Sequence, residues 1–129
     1  YIERPAYGLQ AHEAFENVKP ENYDALIIPG GRAPEYIRLN EYVPSIVKHF
    51  FDAGKPIAAI CHAAQILSTI PEVLQGRELT AYIACKPEVK AAGGTYIDKT
   101  LHVDRNLVSG HAWPDLPGLM REFIKLLEE

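Results

Sequence analysis

Two short stretches of this chain, "ALII" at 25–28 and "PIAAIC" at 56–61, run apolar without a break. A strand with one solvated face alternates polar and apolar residues, so an unbroken run marks a strand buried on both faces. Each run is followed by residues at helical spacing, and such alternation fits a mostly parallel sheet with helices above and below it. The chain is therefore read as an α/β, three-layer protein.

The remaining elements follow from punctuation. The first run stops at Pro29, Gly30 and Gly31; residues 33–56 then read as one helix, with Ile46, Val47, Phe50 and Phe51 on a common face, Gly54 as C-cap residue and Pro56 beyond. "HAAQILSTIPEVLQG" reads as a second helix, interrupted at Pro71 and closed by Gly76. "ELTAY", "CKPEVKAAGG", "TYIDK" and "LHVDRNLVSG" continue the alternation, with a hairpin around Arg105 and Asn106. Leu116, Leu119, Met120, Phe123 and Leu127 form the apolar stripe of a closing helix, for which Asp115 is the candidate N-cap. The opening, "YIERPAYGLQAHEAFENVKPEN", offers at most an extended piece around Tyr7 to Ala11.

Size and charge narrow the function classes. At 129 residues, 47% of them hydrophobic, residues 1–129 suit one globular domain. A net charge of −4 with the two signs intermixed argues against nucleic acid as a partner. No apolar run approaches the ~20 residues that span a bilayer, and the first residues lack a basic region followed by an apolar one, so the expected location is cytoplasmic, with no membrane partner. The two cysteines, Cys61 and Cys85, form no C-x-x-C pair and no zinc-ligand spacing, and reduced thiols are the default.

Cys61 ends the second buried strand and His62 follows it directly. In parallel α/β sheets the carboxyl ends of the strands form the working edge, where helix N-termini present unpaired N–H groups. A thiol there meets the positive end of the next helix, which favours the thiolate and makes it a nucleophile. Ala58, Ala59, Ala63 and Ala64 leave room for a sharp strand-to-helix turn, as glycines do in the hydrolase elbow, although Ala63 takes positive φ less readily than glycine. Against this stands the ordinary behaviour of a free cysteine, which is to pack as a small hydrophobe; chain position alone leaves both readings open. Three destinations are likewise open to the His62 imidazole: the sulfur, a substrate, or solvent.

Other residues gather at the same edge. Gly30 and Gly31 expose backbone N–H groups that, with the amide of His62, can hold a developing oxyanion, or they are simply a loop that needs glycine. "SGHAWPD" closes the last strand, with His111 as candidate substrate-binding residue or second base, Trp113 read as packing and Asp115 as a cap. Cys85 is read as structural, with resolution of an oxidised Cys61 as the other option.

Taken together, "YDALIIPGGRAPEYIRLNE", "GKPIAAICHAAQIL", "LTAYIACKPEVKAAGG" and "NLVSGHAWPDLPGLMREFIKLL" resemble the PfpI family of intracellular cysteine peptidases, glyoxalases and deglycases. The likeness runs from about Tyr23 to Leu127. It implies a flavodoxin-like sandwich with Cys61 as nucleophile on a strained elbow, His62 as its catalytic partner, and a homo-oligomer in which Glu35 of a neighbouring subunit reaches the histidine at an interface. Two features depart from the family pattern: Ala63 stands where glycine is common, and "SGHAWPD" replaces an S-R-x-P-x-D string, which brings the ending closer to the glyoxalase-type relatives. The family also opens with a strand–helix–strand unit carrying a glutamate that bonds the thiol; the first residues match none of it, and neither Glu3 nor Glu13 is assigned that role. The expectation is a fragment, or a sheet that another chain completes.

The leading expectation for activity is glutathione-independent conversion of α-oxoaldehydes, the Cys61 thiolate adding to the aldehyde while Gly30, Gly31 and His62 amides hold the oxyanion. Peptide or amide hydrolysis through an acyl-enzyme is the alternative, and a non-catalytic redox-sensing or chaperone-like protein oxidised at Cys61 is the third. The expected partner is a small carbonyl compound or a peptide. No metal or organic cofactor is called for, since thiol, imidazole and amides suffice.

Overall fold

Ile57, Ala58, Ala59 and Ile60 form a strand in which every residue is buried, and the architecture follows from how the two faces of that strand are covered. The computed structural model describes Ile2 and residues 4–129; Glu3 lies outside the described residues. Among the described residues there are six strands: β1 (Leu26–Ile28), β2 (Ile57–Ile60), β3 (Glu78–Leu79), β4 (Thr95–Tyr96), β5 (Leu101–Asp104) and β6 (Leu107–Gly110). The α-helices are α1 (Ala33–Ile37), α2 (Val43–Asp52), α3 (Ala64–Leu67), α4 (Pro71–Leu74), α5 (Lys86–Ala91) and α6 (Leu116–Glu128).

The main sheet has the order β1-β2-β6-β5. β2 runs parallel to both neighbours, with Ile27 opposite Ala58 and Ala59 opposite Ser109, and β5 returns antiparallel beside β6. β3 and β4 pair as a separate two-stranded parallel sheet. Side chains on β2 alternate between two cores. Ile57 and Ala59 join Leu107 and the buried faces of α2, α3, α4 and α5, including Phe50, Leu67, Leu74 and Val89. Ala58 and Ile60 face the other way, joining Val108 and the α6 residues Leu119 and Phe123. The result is the expected three-layer, flavodoxin-like arrangement, with one long helix on one face and the short helices on the other. Leu119 and Phe123 are the anchors of the α6 side, and truncating either to alanine removes roughly 2–5 kcal/mol.

Several local readings hold. Pro71 separates α3 from α4, and Gly54 and Gly76 adopt the left-handed conformation that follows a helix or turn. The β5–β6 hairpin turns at Arg105 and Asn106, with Arg105 at φ 55°. Asp115 stands at the N-cap position of α6, but its side chain makes no cap bond to that helix; its Oδ2 instead accepts the Ala112 N–H at 2.9 Å, closing the 3-10 turn that leads into α6. Among the described residues before β1 there are two 3-10 turns, Phe15–Asn17 and Pro20–Asn22, and Glu13 lies in the exposed stretch ahead of them.

Three readings are corrected. β1 is not buried on both faces: among the described residues it is the edge strand beside β2, and Ile27 is 50% exposed. Residues 33–52 form two helices, since the Asn40 side chain accepts the Tyr42 N–H at 2.8 Å and so starts α2 afresh, with Pro44 in its first turn. Trp113 does not pack; it opens a 3-10 turn at the surface and is 79% exposed.

Candidate active site

Because β1, β2 and β6 are parallel, their carboxyl ends open on one edge, and the three segments that follow them carry Gly30, Cys61 and His111. Cys61 enters a 3-10 turn, Cys61–Ala63, straight from the extended Ile60. The chain makes this reversal with Cys61 itself at φ 61°, one of only two non-glycine residues with positive φ among the described residues. Holding a side chain in that region costs roughly 1–2 kcal/mol. Ala63, by contrast, lies at φ −53°, an ordinary helical value, and is fully buried. The alanine in a place where glycine is common is therefore without backbone cost, since the strained position is the cysteine.

Gly30 is required by contact. A Cβ on Gly30 would lie 2.5 Å from the Cys61 Cβ, 3.0 Å from the Ile60 carbonyl oxygen and 3.2 Å from the Cys61 sulfur. The backbone of the Pro29–Gly31 turn thus forms one wall of the thiol site. Gly31 follows at φ 77° with open space around its Cα, so its need for glycine is conformational.

Cys61 is half-buried, and its sulfur lies 3.2 Å from the Nδ1 of His62. Of the three destinations open to the imidazole, the sulfur is the one it takes. Beyond it the His62 ring meets Tyr82, centroids 5.0 Å apart and planes at 32°, and Tyr82 in turn meets His111 at 5.3 Å and 45°. Tyr82 was not identified from the sequence; the available signal was an aromatic residue just past the end of a third strand. Its segment is tied to the site by the backbone, its N–H donating to the Cys61 carbonyl at 3.2 Å. Two residues earlier, the Thr80 N–H donates to Ser109 Oγ of β6 at 2.9 Å, a buried bond that fixes this segment against the main sheet.

Glu35 is not brought to His62 within one chain. It sits in the first turn of α1 with its carboxylate 3.4 Å from Arg32 Nε, 42% exposed. Arg32 also donates to the Tyr36 hydroxyl at 2.8 Å.

Cys85 has another setting. It ends the turn Ile83–Cys85, is 1% exposed, and its thiol is pushed up to about 12, first by burial and then by the charges of Glu88 and Cys61, with Arg38 opposing them. It stays a neutral thiol near neutral pH, in keeping with a structural role.

Two concavities lie away from this edge. One, of about 410 Å³, is lined by Arg38, Ser68 and Glu88 among others; an apolar one, of about 190 Å³, lies along β1 between Phe15, Ile27 and Val43. Neither includes Cys61. Among the described residues no group of three or more His, Cys, Asp or Glu is placed to hold a metal ion, and no helix is long and apolar enough to cross a membrane.

Comparison with known proteins gives a consistent answer. Residues 5–126 match the profile of the DJ-1/PfpI family. A deglycase of Thermococcus kodakarensis is 47% identical over 121 residues, covering 94% of this chain and 72% of that protein. Protein DJ-1 homolog D of Arabidopsis thaliana is 44% identical over 131 residues, and there the match covers 98% of this chain but 34% of the relative. Among solved structures, a two-domain protein of Anabaena variabilis with a DJ-1/ThiJ/PfpI-like and a ferritin-like domain superimposes with a TM-score of 0.84 at 32% identity, over 88% of this chain and 32% of that one. The chain thus spans about a third of the length of two of these relatives and nearly three quarters of the third.

Proposed function

The chain belongs to the DJ-1/PfpI family, and from that premise we propose that it is a cysteine-nucleophile enzyme of the deglycase and glyoxalase type, acting on α-oxoaldehydes without glutathione. The observation that carries the reading is the pairing of Cys61, at φ 61° on the carboxyl edge of the sheet, with His62 Nδ1 at 3.2 Å. The deglycase name of the Thermococcus relative supports the same reaction class.

In this reading His62 takes the thiol proton, the Cys61 sulfur bonds to the aldehyde carbon while the amides of Gly30, Gly31 and His62 hold the developing oxyanion, and the imidazolium returns the proton to that oxygen, giving a hemithioacetal and a neutral His62. A base then removes the hydrogen on that carbon and the neighbouring carbon is protonated, through an enediol. The first carbon is oxidised to a thioester and the second reduced to an alcohol, so no external oxidant enters. Water cleaves the thioester, releasing a 2-hydroxy acid and the free thiol. His62 is assigned as the base, and His111 lines the approach for the substrate.

Glu35 enters this scheme from a second copy of the chain. Its exposed carboxylate, paired only with Arg32 of its own helix turn in the bonds described above, is available to a neighbouring His62 in a homo-oligomer.

The deciding experiment follows methylglyoxal and lactate in glutathione-free buffer. Conversion is expected from the parent chain and lost in Cys61→Ala; unchanged turnover in that variant removes the proposal.

A further inference from the structure

The imidazole of His62 is one bond-rotation away from pointing elsewhere. A side chain at the start of a helical turn has alternative staggered wells, and only some place Nδ1 within 3.2 Å of the sulfur. Something must select the productive orientation, and the ring in contact with it is Tyr82, at 5.0 Å between centroids and 32° between planes. That separation lies in the range where ring pairs attract, with a preference worth roughly two- to tenfold in population. The attraction grows when the imidazole becomes a cation, because the face of an aromatic ring is electron-rich. His62 passes into that state whenever it holds the thiol proton.

Tyr82 is well placed for this because it is fixed itself. Its N–H donates to the carbonyl of Cys61 at 3.2 Å, and its carbonyl accepts the Cys85 N–H at 2.8 Å. His111 packs on it at 5.3 Å, and the backbone N–H of His111 is held by the Thr100 carbonyl at 3.0 Å. The residue that carries the sulfur therefore anchors, through its own carbonyl, the ring that orients the base. We propose that Tyr82 is a positioning residue for His62, its ring setting the orientation of the imidazole, and that His111 supports it from the β6 side. This rests on the assignment of Cys61 and His62 given above.

The test measures two quantities on the folded chain: the rate at which iodoacetamide alkylates Cys61 at neutral pH, and kcat and KM for methylglyoxal. Tyr82→Phe, which keeps the ring, is expected to stay closer to the parent than to Tyr82→Leu in both. Tyr82→Leu is expected to slow alkylation and lower kcat by up to about tenfold, with KM little changed and the thermal midpoint preserved; if the leucine variant does not fold, Tyr82→Met replaces it. In a His62→Ala background the same Tyr82→Leu change is expected to have no further effect, because a positioning role vanishes with the group it positions. Equal losses in both backgrounds, no loss in either, or a Phe variant as poor as Leu each overturn the inference. Failure of the underlying assignment looks different: Cys61→Ala would then turn over methylglyoxal, or His62→Ala would alkylate like the parent, whatever stands at position 82.

Discussion

The two cysteines stand in similar successions, each in a 3-10 turn that leads into a short α-helix, yet they are opposites in structure. Cys61 opens its turn and Cys85 closes its own. Cys61 lies at φ 61° at the exposed end of β2, half-buried beside an imidazole. Cys85 lies at φ −89° and is 1% exposed, with a thiol that burial pushes up to about 12. The left-handed backbone directs one sulfur to the sheet edge, whereas the right-handed one turns the other into the core beside Val89. Reactivity here is a property of backbone direction and solvation, and the neighbouring letters of the sequence do not carry it.

Labelling gives the widest separation between the two. At pH 7 a thiol titrating near 12 is thiolate in about one molecule in 10⁵, so iodoacetamide should modify Cys61 and leave Cys85 intact until the chain unfolds. Peptide mass mapping checks this, and labelling of Cys85 in the folded state would break the contrast. Next in size is turnover: Cys61→Ala is expected to lose about a thousandfold or more, and Cys85→Ala to remain within about twofold while losing roughly 1 kcal/mol of stability in denaturant unfolding. A third comparison concerns the wall of the reactive thiol. Gly30→Ala would push a methyl against Cys61, and the expected result is alkylation at least about tenfold slower, with overpacking costing roughly 1–3 kcal/mol. The smallest effect sharpens the backbone argument: Cys61→Gly should be more stable than Cys61→Ala by up to about 1 kcal/mol, because only glycine is free of strain at this φ. Equal melting temperatures for that pair would remove strain from the account.

Much of this was legible because it is local. The unbroken run before Cys61, the Pro71 interruption and the two-residue hairpin at Arg105 and Asn106 are set by residues close in sequence. The split between α1 and α2 was also local, written in Asn40 and Pro44, where the apolar spacing from Ile46 onward masked it. Ile27 was not legible, because its exposure depends on which strands flank β1. Trp113 was misjudged for a related reason: a large aromatic is usually covered, and only the path of the chain after β6 shows that this one is not. Tyr82 could not be paired with His62 from the sequence, since what brings its ring there is a backbone bond to the Cys61 carbonyl across twenty-one positions of chain. Glu35 remains the residue least accessible to either view, as its proposed contact belongs to a second copy.

The bare backbone of Gly30 against one flank of the Cys61 sulfur has a stereochemical consequence. With that flank closed and the imidazole occupying another, a planar carbonyl meets the sulfur from a restricted sector and shows it one of its two prochiral faces. The centre made in that step vanishes in the enediol, but the tethered adduct keeps its seat between the two turns, so protonation of the neighbouring carbon is also confined to one side, and an excess of one mirror-image 2-hydroxy acid is its signature.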